Sequence, residues 1–252
     1  MSANHRTDST VDETFDYIVV GAGSAGCIVA EALSRDPGKR VLVLEAGLHA
    51  NQNPETLAAD QYKHAFVNPE LLWERFSVPQ PRCRSARLFQ GSGRGLGGSG
   101  SVNAMVYTRG SAYDYDSWGL PGWRYADVVP DFLEIERTLG VNRLPPTHFT
   151  ESCIAAAKES GFQRKEDLND GALCGFLGYE WMNLNPASNE RRSSYVAFLR
   201  PAKADRICLS APLPTCAGSF CQAKMARVPS PEQMVSSMCW MGSCAGPALA
   251  AR

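Results

Sequence analysis

Three glycines at the spacing Gly21-x-Gly23-x-x-Gly26, followed nineteen residues later by Glu45, are the residues of this 252-residue chain best suited to holding a ligand. Gly21 permits a tight turn, and Gly23 lets backbone approach a pyrophosphate with no Cβ in the way. Gly26 lets a helix pack closely on a sheet. The N–H groups that open such a helix face the phosphates, and the helix dipole adds to the attraction. Glu45 is placed to accept both ribose hydroxyls of an adenosine, so that its loss should weaken binding and spare the fold. Its charge disfavours a 2′-phosphate and therefore NADP. The triplet alone does not separate NAD from FAD, because both carry the same ADP moiety. A turn that binds nothing is the bland alternative, and the surrounding elements argue against it.

A second glycine block, GSGRGLGGSGSVNAMVYTRGSAYDYDSW at 91–118, lies beyond Glu45. A flexible linker would be Gly and Ser without ordered apolar residues. Here Leu96, Val102, Met105, Val106 and Tyr107 alternate with the polar Arg94, Asn103 and Arg109. That mixture suits backbone that touches a flat ligand while its apolar side chains anchor in a core.

The elements that must position these residues follow from the pattern. FDYIVV (15–20) is a β-branched run of strand length ending at a glycine. The next segment carries Ile28, Ala32 and Leu33 at helical spacing and stops at Pro37-Gly38. RVLVLE (40–45) reads as a second, buried strand. The unit predicted is βαβ, parallel and right-handed. Residues 51–90 lack periodicity and read as a long excursion over a surface. Asp127 caps a predicted helix through VVPDFLEIERTL, with Val128, Phe132, Leu133 and Leu139 on one face and Pro130 in the first turn. A helix over Thr150 to Ser160 closes at Gly161. Ser193 or Ser194 caps a short third helix ending at Arg200-Pro201.

Composition narrows the function classes. A formal net charge of −1 gives no basic field for nucleic acid or an anionic membrane surface. No apolar run reaches membrane-spanning length. Residues 1–14 carry acids and no apolar stretch, which reads as a disordered leader on a cytoplasmic protein. The nine cysteines include no C-x-x-C pair, so free thiols are expected and no metal site.

The second block resembles the first signature of the glucose–methanol–choline oxidoreductase family, G-R-x-L-G-G-S-x-x-V-N. Further likenesses are VPQP at 78–81, RGSAYDYDSW at 109–118, GW at 122–123 and RRSSYVAFLRPA at 191–202. DYDSW and GW are similar to the choline dehydrogenase-like branch. The resemblance implies an α/β fold: a Rossmann-like FAD-binding βαβ unit with the start of a substrate-binding domain, truncated, over residues 15–206. It implies that Gly21, Gly23, Ser24, Ala25, Gly26, Glu45 and Ala46 hold the ADP half of FAD. Arg94, Gly97, Gly98, Ser99, Asn103 and Ala104 then approach the isoalloxazine and pyrophosphate. Val102 stands where some members carry a flavin-linked histidine, which implies non-covalent FAD. The family reaction passes a hydride from an alcohol carbon to flavin N5, with a late histidine handling the alcohol proton. His5, His49, His64 and His148 do not map to that histidine, so no catalytic residue is assigned. A non-catalytic nucleotide-binding remnant is the alternative reading, and oligomeric state is left open.

From Ile207 onward the composition shifts to Ala, Ser, Pro, Cys and Met, with Glu232 as the lone acid. Residues 207–252 are read as an atypical, disordered tail arising from a frameshift or misjoin.

Overall fold

The computed structural model describes residues 14–202 and 207–210. Strand β1 (Tyr17–Val20) runs parallel to β2 (Val41–Leu44), with Tyr17 opposite Val41 and Val20 opposite Leu44. Helix α1 (Ser24–Ser34) connects them, giving the βαβ unit expected of a Rossmann-like fold. Between β1 and α1 the chain turns sharply through Gly21, whose φ of +89° is open to glycine and costly for other residues.

The buried stripe of α1 is not the expected one. Cys27, Ala30 and Ser34 face inward, Ile28 and Leu33 are half-buried, and Ala32 is exposed. The reason is proximity. A Cβ on Gly26 would lie 2.0 Å from the carbonyl oxygen of Gly21. A helix seated that close leaves room for small side chains beneath it and turns the larger ones to the flanks.

A third strand, β3 (Ile207–Ser210), pairs in parallel with the other edge of β2, Ile207 opposite Val41. The sheet order is therefore β1-β2-β3, with β2 central. This corrects the boundary expected at Arg206. The composition shift there is real, but ICLS is itself a strand-forming run, and the central strand needs a partner on both edges. The rest of the tail reading, over 211–252, and the leader over 1–13 lie outside the described residues.

The main core sits between α1, β2 and the segment Tyr195–Leu199. It contains Ala22, Cys27, Ala30, Val41, Val43, Leu96, Tyr195, Val196 and Leu199, with Ile207 packed against it. The segment Tyr195–Leu199 is a π-helical turn, closed by the Arg200 N–H on the Tyr195 carbonyl at 2.8 Å, where a short helix was expected. Its N-cap residue is Ser194, which makes no side-chain cap bond, while the Ser193 hydroxyl one residue earlier accepts the Val196 N–H at 3.4 Å.

The excursion holds more structure than its sequence suggested. Helix α2 (Tyr62–Val67) buries Ala65 against Leu71, Leu72 and Val102. Leu72–Trp73 pairs antiparallel with Ser92–Gly93. Residues 81–90 are exposed throughout, as a surface excursion should be. Beyond the second glycine block come α3 (Ala112–Asp116) and α4 (Tyr125–Leu139). Asp127 lies three residues inside the start of α4, accepting the Arg124 N–H at 3.1 Å. Pro130 is consequently the sixth helical residue and outside the first turn. Leu133 is 45% exposed, so the inner face runs instead through Val128, Phe132, Ile135 and Leu139. Helix α5 (His148–Glu159) begins two residues early, at the Thr147 cap, which puts the exposed His148 on its first turn instead of in a loop. A small antiparallel sheet joins Val106–Tyr107 and Asn142–Arg143 to Trp181–Met182.

Candidate dinucleotide site

The two glycine segments, over seventy residues apart in sequence, meet directly. The Gly97 N–H donates to the Ala22 carbonyl at 2.7 Å, and the Gly21 N–H to the Leu44 carbonyl at 2.7 Å. Gly98 sits so near the first turn that a Cβ on it would lie 2.8 Å from the Cα of Gly23. A Cβ on Gly100 would likewise lie 3.1 Å from the Ser24 hydroxyl. The second block crosses the first at the N-terminus of α1.

Glu45 ties this crossing together. It is 6% exposed, and its carboxylate accepts from Ala22 N–H at 2.7 Å, Gly47 N–H at 2.8 Å and Gly95 N–H at 3.1 Å. A carboxylate has about four lone-pair positions. Three are spent on backbone, so Glu45 is a clasp between the two segments as well as the candidate ribose acceptor, with capacity for one further hydrogen bond. This revises the expectation that it accepts both ribose hydroxyls and that its loss would spare the fold.

The opening of α1 suits an anion. Gly23 is its cap residue and no side chain caps the first turn. Ser24 and Ala25 are exposed. No atom lies within 4 Å of where a Cβ on Gly21 or Gly23 would stand. Open space in front of uncapped helix N–H groups is what a pyrophosphate requires. The residues present therefore fit an FAD-type dinucleotide.

The remaining expected residues divide. Ala46 and Arg94 are joined by the Arg94 guanidinium donating to the Ala46 carbonyl at 3.2 Å, and Arg94 also lies over the Trp73 ring at 4.9 Å. Gly97 and Gly98 are buried in the crossing, whereas Ser99, Asn103 and Ala104 are exposed at its surface. The Asn103 side-chain oxygen accepts the Met105 N–H at 3.0 Å, which shapes the turn where Met105 takes a φ of +64°. Val102 points away into the small core of Ala65, Leu71 and Leu72.

Sequence reasoning missed Gly47, Gly95 and Arg191. A Cβ on Gly47 would lie 2.3 Å from the Gly95 nitrogen, so these two glycines are the contact beneath the clasp. Gly47, two residues after Glu45, could have been singled out from its position; nothing in RRSS marks Arg191 over Arg192. Arg191 is fully buried, and Nη1 donates to the Gly100 carbonyl at 3.2 Å, the Asn103 carbonyl at 2.7 Å and the Asn103 Oδ1 at 3.0 Å. Burial pulls its pKa down to about 10, still charged at neutral pH. Burial also pushes the Cys27 thiol up to about 12, with a smaller push from the Glu45 charge.

Comparison with known proteins decides the family. The sequence profile of the family described as GMC oxidoreductase matches residues 15–209. The chain belongs to the GMC oxidoreductase family. It is 34% identical over 219 residues to the mitochondrial choline dehydrogenase of Mus musculus, covering 75% of this chain and 35% of the relative. It is 33% identical over 208 residues to the chloroplastic fatty acid photodecarboxylase of Chlamydomonas reinhardtii, covering 76% and 33%. The fold is shared with pyridoxine 4-oxidase from Mesorbium loti at a TM-score of 0.66 and 23% identity, over 78% of this chain and 42% of that one. The chain thus spans about a third of the length of the curated relatives it matches. Among the described residues no helix is long and apolar enough to cross a membrane, and no group of His, Cys, Asp and Glu could hold a metal ion.

Proposed function

We propose that this chain supplies the FAD-binding portion of an oxidoreductase acting on CH–OH groups, of the choline dehydrogenase-like branch. The observation that carries the reading is the crossing of the two glycine segments over the open, uncapped start of α1. When bound, FAD would supply the hydride acceptor. The chain's own residues bind and orient it: Gly21, Gly23, Ser24 and Ala25 cradle the pyrophosphate, Glu45 offers its remaining lone pair to the ribose, and Asn103 and Ala104 present the exposed edge of the second block. Val102 is packed in a core and offers no atom for a covalent link, which supports non-covalent FAD.

No described histidine supports a role as the base. His49 accepts the Asn51 N–H and lies edge-on to Tyr195, and His64 and His148 are exposed on α2 and α5. On this reading the 252-residue chain binds FAD and does not oxidise alcohols by itself, because a positioned base contributes about 10²–10⁴-fold. The purified chain is expected to carry a flavin absorbance that passes into solution on denaturation. A colourless protein that takes up NAD would overturn the cofactor, and dye retained after denaturation would overturn the non-covalent link. Alcohol-dependent bleaching well above that of free flavin would overturn the reading that no described residue serves as the base.

A further inference from the structure

Among the described residues Arg191 is the one fully buried cation. It is 0% exposed, yet among the described residues no carboxylate pairs with it. All three of its acceptors are on Nη1, and Nε and Nη2 are buried without a partner. Burying a charge is costly, and a buried cation is normally offset by an anion and by hydrogen bonds on every donor. Glu45, the buried carboxylate at the same crossing, already spends itself on three backbone N–H groups.

Position suggests what the charge is for. Gly100, whose carbonyl receives Nη1, is packed against Ser24, the first residue of α1. Asn103, the other acceptor residue, is at the exposed edge of the second block. A fixed positive charge thus stands one layer of backbone behind the point where the positive end of α1 and the second block converge. The two fields add there in a poorly polarisable surrounding, where charge acts further than in water.

We infer that Arg191 is a positioning residue for the dinucleotide, its buried guanidinium supplying the countercharge to the pyrophosphate through the backbone of Gly100 and Asn103. The inference rests on the FAD reading. It goes further in assigning a residue that touches no open surface, and in assigning it by charge and not by contact.

The test separates charge from hydrogen bonding in the whole 252-residue chain. R191K keeps the charge and loses the planar fork, whereas R191Q loses the charge and keeps an amide donor on a side chain two bonds shorter, short of the Gly100 and Asn103 acceptors. FAD is titrated into each apoprotein, and each apoprotein is melted without FAD. R191K is expected to bind FAD close to wild type, and R191Q about tenfold or more weaker, the change a charge-assisted interaction typically carries. R191Q apoprotein is expected to keep most of its stability, since removing a buried charge with no carboxylate partner relieves a cost that offsets the acceptors left unmet. Equal FAD affinity in R191K and R191Q would overturn the inference. A fall in R191Q apoprotein stability matching its loss of FAD would also overturn it, by making Arg191 a support of the fold alone. Wild-type protein that takes up no FAD would remove the underlying reading and this inference together, whereas wild-type uptake with indifferent variants removes only the inference.

Discussion

Gly26 and Gly23 belong to the same motif, yet the structure assigns them opposite costs of substitution. A Cβ on Gly26 would stand 2.0 Å from the Gly21 carbonyl oxygen and 3.1 Å from its carbon, both backbone atoms that no rotamer change can move. Ordinary carbon–oxygen contact needs more than 3 Å, so Gly26→Ala must push α1 away from the turn by over an ångström. Overpacking of this kind costs about 1–3 kcal/mol, and a rigid backbone neighbour places it near the top of that range. Alanine returns about 1 kcal/mol through its better helix propensity. The net loss is about 2 kcal/mol, which for a domain of this size lowers the melting temperature by roughly 4–8 °C. Gly23→Ala meets no atom within 4 Å and needs no unusual backbone, since Gly23 has φ −72°. On the proposed function its methyl takes space that a phosphate would occupy. The expectation is an apoprotein that melts with wild type and binds FAD more weakly. Calorimetric melting of both apoproteins, with FAD titration, checks the pair. A Gly26→Ala apoprotein as stable as wild type would refute the close-packing argument, and a Gly23→Ala protein with unchanged FAD affinity would refute the cradle.

Three further residues, Glu45, Glu136 and Cys27, give outcomes of their own. Glu45→Ala leaves three buried N–H groups unmet at about 1–3 kcal/mol each, so the apoprotein should lose at least about 3 kcal/mol before FAD is considered; denaturant titration without FAD measures it, and an unchanged midpoint would restore the simpler ribose role. Glu136→Gln uncouples the Arg109–Glu136 pair, whose side chains are 11% and 15% exposed, and should cost about 1.5–3 kcal/mol by the same measurement, because the part-buried Arg109 loses its charged partner and keeps the Asn169 carbonyl. Cys27 should resist iodoacetamide in the folded chain while the exposed Cys83, Cys153 and Cys174 react, as peptide mapping would show. With its thiol at about 12 folded against 9.0 unfolded, the unfolded chain releases the proton first; Cys27 therefore lowers stability as pH rises from about 9 towards 12, by at most about 1.4 kcal/mol per pH unit, and a Cys27→Ala variant should lose that slope.

The βαβ unit was legible because its signals are local. A strand-length run, a glycine triplet and an acid at fixed spacing each follow from one peptide segment's own geometry. The same locality explains what was not legible. Which face of α1 is buried depends on how near Gly26 lets it approach the sheet, which its own periodicity does not record. Glu45 as a clasp needs Gly95, fifty residues away, and Arg191 becomes notable only once burial distinguishes it from Arg192. Helix α4 began early because Asp127 satisfies the capping pattern from three residues inside as readily as from the cap itself. Ile207–Ser210 was overlooked because composition averaged over a long tail hides a four-residue strand.

That late strand has a consequence for the order in which the protein assembles during synthesis. β1 and β2 emerge early and close together, but the second edge of β2 is paired by β3. Roughly 160 residues separate Leu44 from Ile207, which at about 5–20 residues per second is roughly 8–30 s on the ribosome. Throughout that interval the backbone of the central strand has no permanent partner along that edge. Such an edge is a template for strand pairing with other chains. Nascent chains of this protein should therefore need a holding chaperone until residue 210 has cleared the tunnel, and ribosome-bound chains stalled before and after that point would differ in how readily they are released from it.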